Sequence, residues 1–184
     1  MPFGKVVPVT GLTGSFPGHV SRLGLLNITA RQVLPTTPNP ISFGQAVVIN
    51  PATNTYQSAS DFVAGGGTLT SALFAGVAVE EVNTTGGYPY SGSGTVGGYN
   101  PGDRADVLNF GTITVSVNGS TAPVSQGAVY QRISANGANT IIGGLEAAAD
   151  GVHTIGPLPG VVFTSGSLDS NGNAEITLLN RVAA

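Results

Sequence analysis

The stretch Gly111-Thr-Ile-Thr-Val-Ser-Val-Asn-Gly119, "GTITVSVNG", decides the fold class. Ile113, Val115 and Val117 alternate with Thr112, Thr114 and Ser116. A period of two, with one apolar face and one polar face, predicts a half-buried strand. Asn118-Gly119 follows at once, the strongest short hairpin signal, and "STAPVS" comes after it. Working outward, "ISFGQAVVI" places Ile41, Phe43, Val47 and Ile49 on one face. "GAVYQRIS" predicts another strand, ending near Asn136-Gly137. "GVVFTSGSL" and "AEITLLNRV" predict a closing pair joined by "DSNGN", with Ile176, Leu178 and Val182 on one side of the last strand. Helix signals are weak: "SASDFVAGG" has room for one turn and "GGLEAAADG" for two at most. Short strands separated by turn signals predict an all-β sandwich or barrel.

Residues 1–40 differ in make-up. Pro2, Pro8, Pro17, Pro35, Pro38 and Pro40 are interspersed with glycines, which excludes a helix and disfavours a central strand. The segment is expected to be an extended arm, with one short strand in "LLNITARQV", ahead of a β domain over 41–184. The arm carries Val6, Val7, Val9 and Phe16, apolar residues that a solvated tail would lack. These are candidate contacts with a partner. A long loop over 83–103 holds Tyr88, Tyr90 and Tyr99 among Gly and Ser, the chemistry of adaptable protein-binding loops. The three tyrosines are therefore candidate contact residues too.

Composition narrows the function. The chain has 184 residues, of which 6 are Lys or Arg and 9 Asp or Glu, for a net charge of −3. Charged residues make up 8%, against roughly 25% in an average domain. No basic groove for nucleic acid is expected. So neutral a surface is better tolerated when other subunits cover much of it. With no cysteine, a disulfide framework and a cysteine-rich zinc site are excluded. The longest apolar run, Ala72 to Val79, stops at Glu80, far short of the roughly twenty residues a membrane span needs. The opening "MPFGKVVPVTGLTG" lacks a signal-peptide core, so synthesis in the cytosol is expected.

Several catalytic or ligand patterns fail on inspection. "GSGTVGG" contains Gly92-x-Gly94-x-x-Gly97, but Pro101-Gly102 follows where a helix must start, and no carboxylate stands about twenty positions on. His153 with Asp150 and Ser165 or Ser167 can be written as a triad, but no nucleophile elbow supports it. A loop histidine bonded locally is the plainer expectation. Two histidines far apart make a poor zinc site. "Asp169-Ser-Asn171-Gly-Asn173-Ala-Glu175" resembles a calcium loop, but Gly172 is misplaced and the twelfth-position glutamate is missing, so a hairpin turn is expected. Glu80 and Glu81 are adjacent on an extended chain and point apart, which is wrong for a catalytic carboxylate pair. No catalytic, cofactor or metal residue is assigned.

The order of these elements resembles that of the structural cement, or decoration, proteins of tailed bacteriophage capsids. The resemblance rests on "ISFGQAVVINPATNTYQSA", "DFVAGGGTLTSALFAGVAVEEV", "YNPGDRADVLNFGTITVSVNG", "APVSQGAVYQRI" and "GVVFTSGSLDSNGNAEITLLNRV", which cover roughly residues 41–183. It implies a jelly-roll-like β fold and a small homo-oligomer; it does not decide between dimer and trimer, and the trimer is favoured. It implies a place on the outer face of the virion's capsid, clamping neighbouring major capsid proteins, with no cofactor, while composition and the apolar runs argue against nucleic acid and membrane as partners. The alternatives are a tail or fibre domain, a surface-binding module, or a jelly-roll enzyme with a cryptic site. A fibre should show internal repeats, a sugar-binding cleft usually holds Trp, and a metal jelly roll needs clustered histidines. The sequence has none of these features.

Overall fold

The computed structural model describes residues 16–21, 25–80 and 97–179. The strands, in chain order, are β1 (Asn27–Gln32), β2 (Ile41–Ser42), β3 (Ala46–Asn50), β4 (Thr55–Ser58), β5 (Phe74–Ala78), β6 (Gly98–Tyr99), β7 (Arg104–Asn118), β8 (Tyr130–Arg132), β9 (Leu145–Glu146), β10 (Thr154–Ile155), β11 (Val161–Phe163) and β12 (Asn173–Leu178). One α-helix, α1 (Ala59–Ala64), follows β4. The fold is all-β. The one-turn helix expected in "SASDFVAGG" is α1, started by the Ser58 hydroxyl, which accepts from the Asp61 N–H.

β7 organises the rest. Its first half pairs antiparallel with β1 and with β5. Its second half pairs antiparallel with β12, and its last two residues pair in parallel with β9. β5 continues through β3 to β4. β4 then returns to the chain just after β1. Val33 bridges Tyr56, and the Leu34 N–H donates to the Tyr56 carbonyl at 2.9 Å. The five strands β1–β7–β5–β3–β4 therefore close on themselves. Val33, Val47, Tyr56, Ala78, Ala105 and Val107 fill the enclosure, together with Ile41, Phe43 and Tyr99.

Strand alternation sends the neighbours of these residues outward. Ala46, Val77 and Leu108 pack into a second core with Ile113, Val115, Val129, Leu145, Phe163, Ile176 and Leu178. The barrel and the C-terminal strands thus share β7 and share a core. Leu108 and Ile113 lie in this same core although they are five positions apart, an odd number that an unbroken period of two forbids. A bulge restores the pattern. β1 pairs Ile28 with Leu108 and Asn27 with Phe110, so Asn109 is extra. Gly111, at φ +128, completes the kink.

The segment before β1 is part of this architecture. The Gly18 N–H donates to the Thr114 carbonyl at 2.9 Å, Thr114 donates back to His19 at 3.0 Å, and Ser21 donates to Thr112 at 3.2 Å. Gly18 is packed so tightly that a Cβ would lie 2.8 Å from that of Phe43 and 2.9 Å from the Glu80 nitrogen. The boundary expected at residue 40 therefore does not separate an arm from a domain: residues 18–21 and 27–33 are built into the sheet. Thr112 and Thr114 are themselves buried, so the strand expected to be half-buried is covered on both faces over 112–115.

Three further expectations change. Asn118-Gly119 does end β7, with Gly119 at φ +84, but no hairpin forms there. The parallel partner β9 arrives from residue 145 instead. "GGLEAAADG" forms β9 and an irregular run rather than helix. The strand in "GAVYQRIS" is confined to Tyr130–Arg132. The closing pair stands as expected: β11 and β12 are antiparallel, and Asp169 Oδ1 accepts from the N–H groups of Asn171 and Asn173, both at 2.8 Å, in the connecting turn.

Candidate functional site

Of the seven residues expected to make contacts, Val6, Val7, Val9, Tyr88 and Tyr90 lie outside the described residues. Phe16 presents 64% of its surface to solvent. Tyr99 corrects the expectation. It is 3% exposed, its ring meets Phe43 edge-on at 5.3 Å, and its hydroxyl donates to the Val79 carbonyl at 2.9 Å. β6, to which it belongs, pairs with β2, so the far end of the supposed tyrosine loop is a core element.

Further apolar side chains are exposed nearer β1. Leu25 is 87% exposed, and Leu26 and Ile28 are also exposed. Phe16 stands just before residues 18–21, which run antiparallel along the second half of β7, and Leu25, Leu26 and Ile28 lie just before or within β1, which runs antiparallel along the first half. Leu26 lies over the Gly111 kink. β1 has β7 as its ladder partner, and β4 meets the same chain through Tyr56, which bridges Val33, accepts from the Leu34 N–H and lies under the Arg31 guanidinium at 5.9 Å. On the outer side of Asn27–Ala30, the nearest hydrogen bond among the described residues is a long one, 3.5 Å, from the Tyr56 hydroxyl to the Thr29 carbonyl. Exposed sheet edges are normally blunted with Lys or Pro. "NITA" has neither.

The polar centre of the molecule lies elsewhere. The Arg132 side chain is fully buried in β8. Its Nε donates to Glu146 Oε1 at 2.5 Å and one terminal nitrogen donates to Glu146 Oε2 at 2.9 Å. It also donates to Asp150 Oδ2 at 2.8 Å and to the Ser134 carbonyl at 3.1 Å. The hydrogen bond to Glu146 raises the guanidinium pKa further, against the opposing effect of burial. The Arg132 guanidinium, and then the Asn136 amide, hold the Asp150 carboxyl below its ordinary value.

This geometry leaves no working triad. His153 Nδ1 is 2.8 Å from the Ser134 hydroxyl, while Ser165 accepts from the Glu175 N–H and Asp150 faces Arg132. Among the described residues, no three His, Asp or Glu side chains converge as metal ligands, and no helix is long and apolar enough to cross a membrane.

A family model described as the XM1 gp53 minor capsid protein matches residues 10–178. The chain belongs to that family. A chain in the solved capsid of Myoviridae phage XM1 shares the fold at a TM-score of 0.64 and 19% identity, with 99% of this chain and 100% of that chain covered. No curated protein matches.

Membership of the XM1 gp53 minor capsid family makes the chain a structural protein of the phage capsid, found in the virion, and not an enzyme. In such a protein the buried Arg132 centre is architecture. It joins β8 to β9 and to the run before β10, a region of short strands that β ladders alone hold weakly. Sequence reasoning missed this centre. A strand-borne Arg, in a chain with six basic residues, was the available signal.

Proposed function

We propose that the protein seats itself on the outer face of the capsid as a homo-oligomer, a trimer in preference to a dimer, and clamps neighbouring major capsid proteins. The observation that carries this reading is the exposure of the apolar side chains of Phe16, Leu25, Leu26 and Ile28 on a body with few charges. Uncharged apolar surface of this kind marks protein contacts. These residues adjoin the two stretches, 18–21 and β1, that pair with β7, so a load on them passes into both cores. The residues expected earlier in the arm, Val6, Val7 and Val9, and the tyrosines Tyr88 and Tyr90 extend the candidate contact set.

Capsids assembled without this protein provide the test. The wild-type chain should co-sediment with them and raise the temperature at which they release DNA. The triple variant Phe16→Ser, Leu25→Ser, Ile28→Thr should keep its circular dichroism spectrum and lose co-sedimentation. Equal binding by the two proteins would show that the clamp lies elsewhere.

A further inference from the structure

We propose that residues 130–155 form a flap that swings away from the barrel as one unit. The flap consists of β8, β9, β10 and the chain between them. Its roots are narrow. The chain enters at Val129 and leaves by Leu158, and the Leu158 N–H donates to the Val129 carbonyl at 2.8 Å, which holds entry and exit side by side. The other backbone tie among the described residues is β9, whose two residues pair with Val117 and Asn118 at the end of β7. The flap rests on a flank of the barrel, where Ile133, Ile142 and Ile155 pack, half-buried, against Val48, Ala59 and Leu69. Among the described residues, no hydrogen bond runs from the flap to β3, β4 or α1 on that flank.

Gln131 marks the plane of opening. It is 0% exposed, and among the described residues neither its amide nitrogen nor its amide oxygen has a hydrogen-bond partner. Leu145 on β9 and Ile155 on β10 stand opposite it and share its face. Leu145 belongs to the core around Ile113, whereas Ile155 packs on the flank cluster, so the amide lies where two apolar regions meet. An internal water needs two to four polar partners, which these apolar neighbours do not supply. A buried amide left unpaired costs roughly tenfold to a hundredfold in an equilibrium constant. In the open form the amide reaches solvent and that cost disappears. On the opposite face of β8, Arg132 ties the strand to Glu146 on β9 and to Asp150 ahead of β10. The flap is thus stiff within itself and weakly seated on its neighbour, the combination that gives a cooperative opening unit.

Amide hydrogen exchange on the full chain, read peptide by peptide, provides the test. β8, β9 and β10 should exchange with one common opening constant, at least about tenfold above that of β12. Gln131→Leu keeps the bulk of the side chain and removes the unpaired amide. It should slow exchange in all three strands together by about tenfold or more, with the circular dichroism spectrum unchanged. Gln131→Met, a more pliable replacement, should do the same and guards against a misfit of the branched side chain. Exchange graded from β10 through β8 to β9, and slowed by neither substitution, would mean an edge that frays strand by strand and would overturn the proposal. So would exchange of the three strands at the rate of β12. Faster exchange in both variants also overturns it, because the amide would then be paired in the closed form.

Discussion

Along Arg104–Phe110, β7 belongs to a closed barrel whose interior is filled by side chains such as Val107, Tyr56 and Phe43. Along Gly111–Asn118 it enters an open sheet, and there polar side chains lock the strands across one face. Thr177 is within 3.0 Å of Thr112 and 2.5 Å of Thr164, so β7, β12 and the residue just after β11 share a chain of hydroxyls. Ser116 donates to Asn173 at 3.0 Å, and the Arg132 centre closes the far side. Apolar enclosure and polar locking fail differently. An apolar site can relax around a lost group. A buried polar network that loses one member leaves the others desolvated and unpaired.

The largest expected effect breaks both halves at once. Deleting residues 1–40 removes β1 from the barrel and the 18–21 cover from the open half, and should abolish the cooperative melting transition. A truncated protein that melts like the full chain would show that β7 needs neither. Next comes the polar half alone. Arg132→Met leaves Glu146, 4% exposed, without its partner, and should cost about 3–5 kcal/mol in denaturant unfolding. Arg132→Met together with Glu146→Leu should recover much of that loss.

In the barrel, Tyr99→Phe removes one hydroxyl bond to Val79 while keeping the ring on Phe43, and should cost about 1 kcal/mol. An unchanged stability accompanied by loss of assembly would instead restore Tyr99 as a contact residue.

The smallest effect is that of pH. Asp150 has a depressed pKa, so its contribution is fully present above the unfolded value of about 3.9 and is lost as pH falls through the folded value. A melting series below about pH 4 should decline more steeply for wild type than for Asp150→Asn. Parallel declines would mean that the carboxylate adds nothing to the Arg132 centre.

What could be read from the sequence follows the range of each interaction. The β11–β12 pair is local: an alternating strand, an Asp-Ser-Asn-Gly turn and a second strand within nineteen residues, from Val161 to Leu179. Tyr99 is the opposite case. Its strand has two residues, too few for periodicity, and it is buried because β2, more than fifty positions earlier, pairs with it. Asn118-Gly119 shows how a local signal loses to a distant one. The positive φ at Gly119 appears as expected, yet the edge of β7 there is taken by β9. Arg132 and Glu146 are fourteen residues apart and meet only because β8 and β9 are neighbours. The Thr face of "GTITVSV" carries a polar pattern and is still buried, and residues 18–21, which pair with that strand, follow Pro17 and begin with Gly18, the proline and glycine of an arm.

The continuity of β7 has a mechanical consequence. Its fifteen residues, about 50 Å of extended chain, cross from one core to the other without a loop. Tension applied to the barrel is therefore carried by covalent bonds to the far end of the molecule. Its antiparallel flanks, β1 and β12, meet such a pull in shear, so their hydrogen bonds bear it together rather than parting one by one. The barrel and the sheet cannot be drawn apart as two bodies; they yield together or not at all.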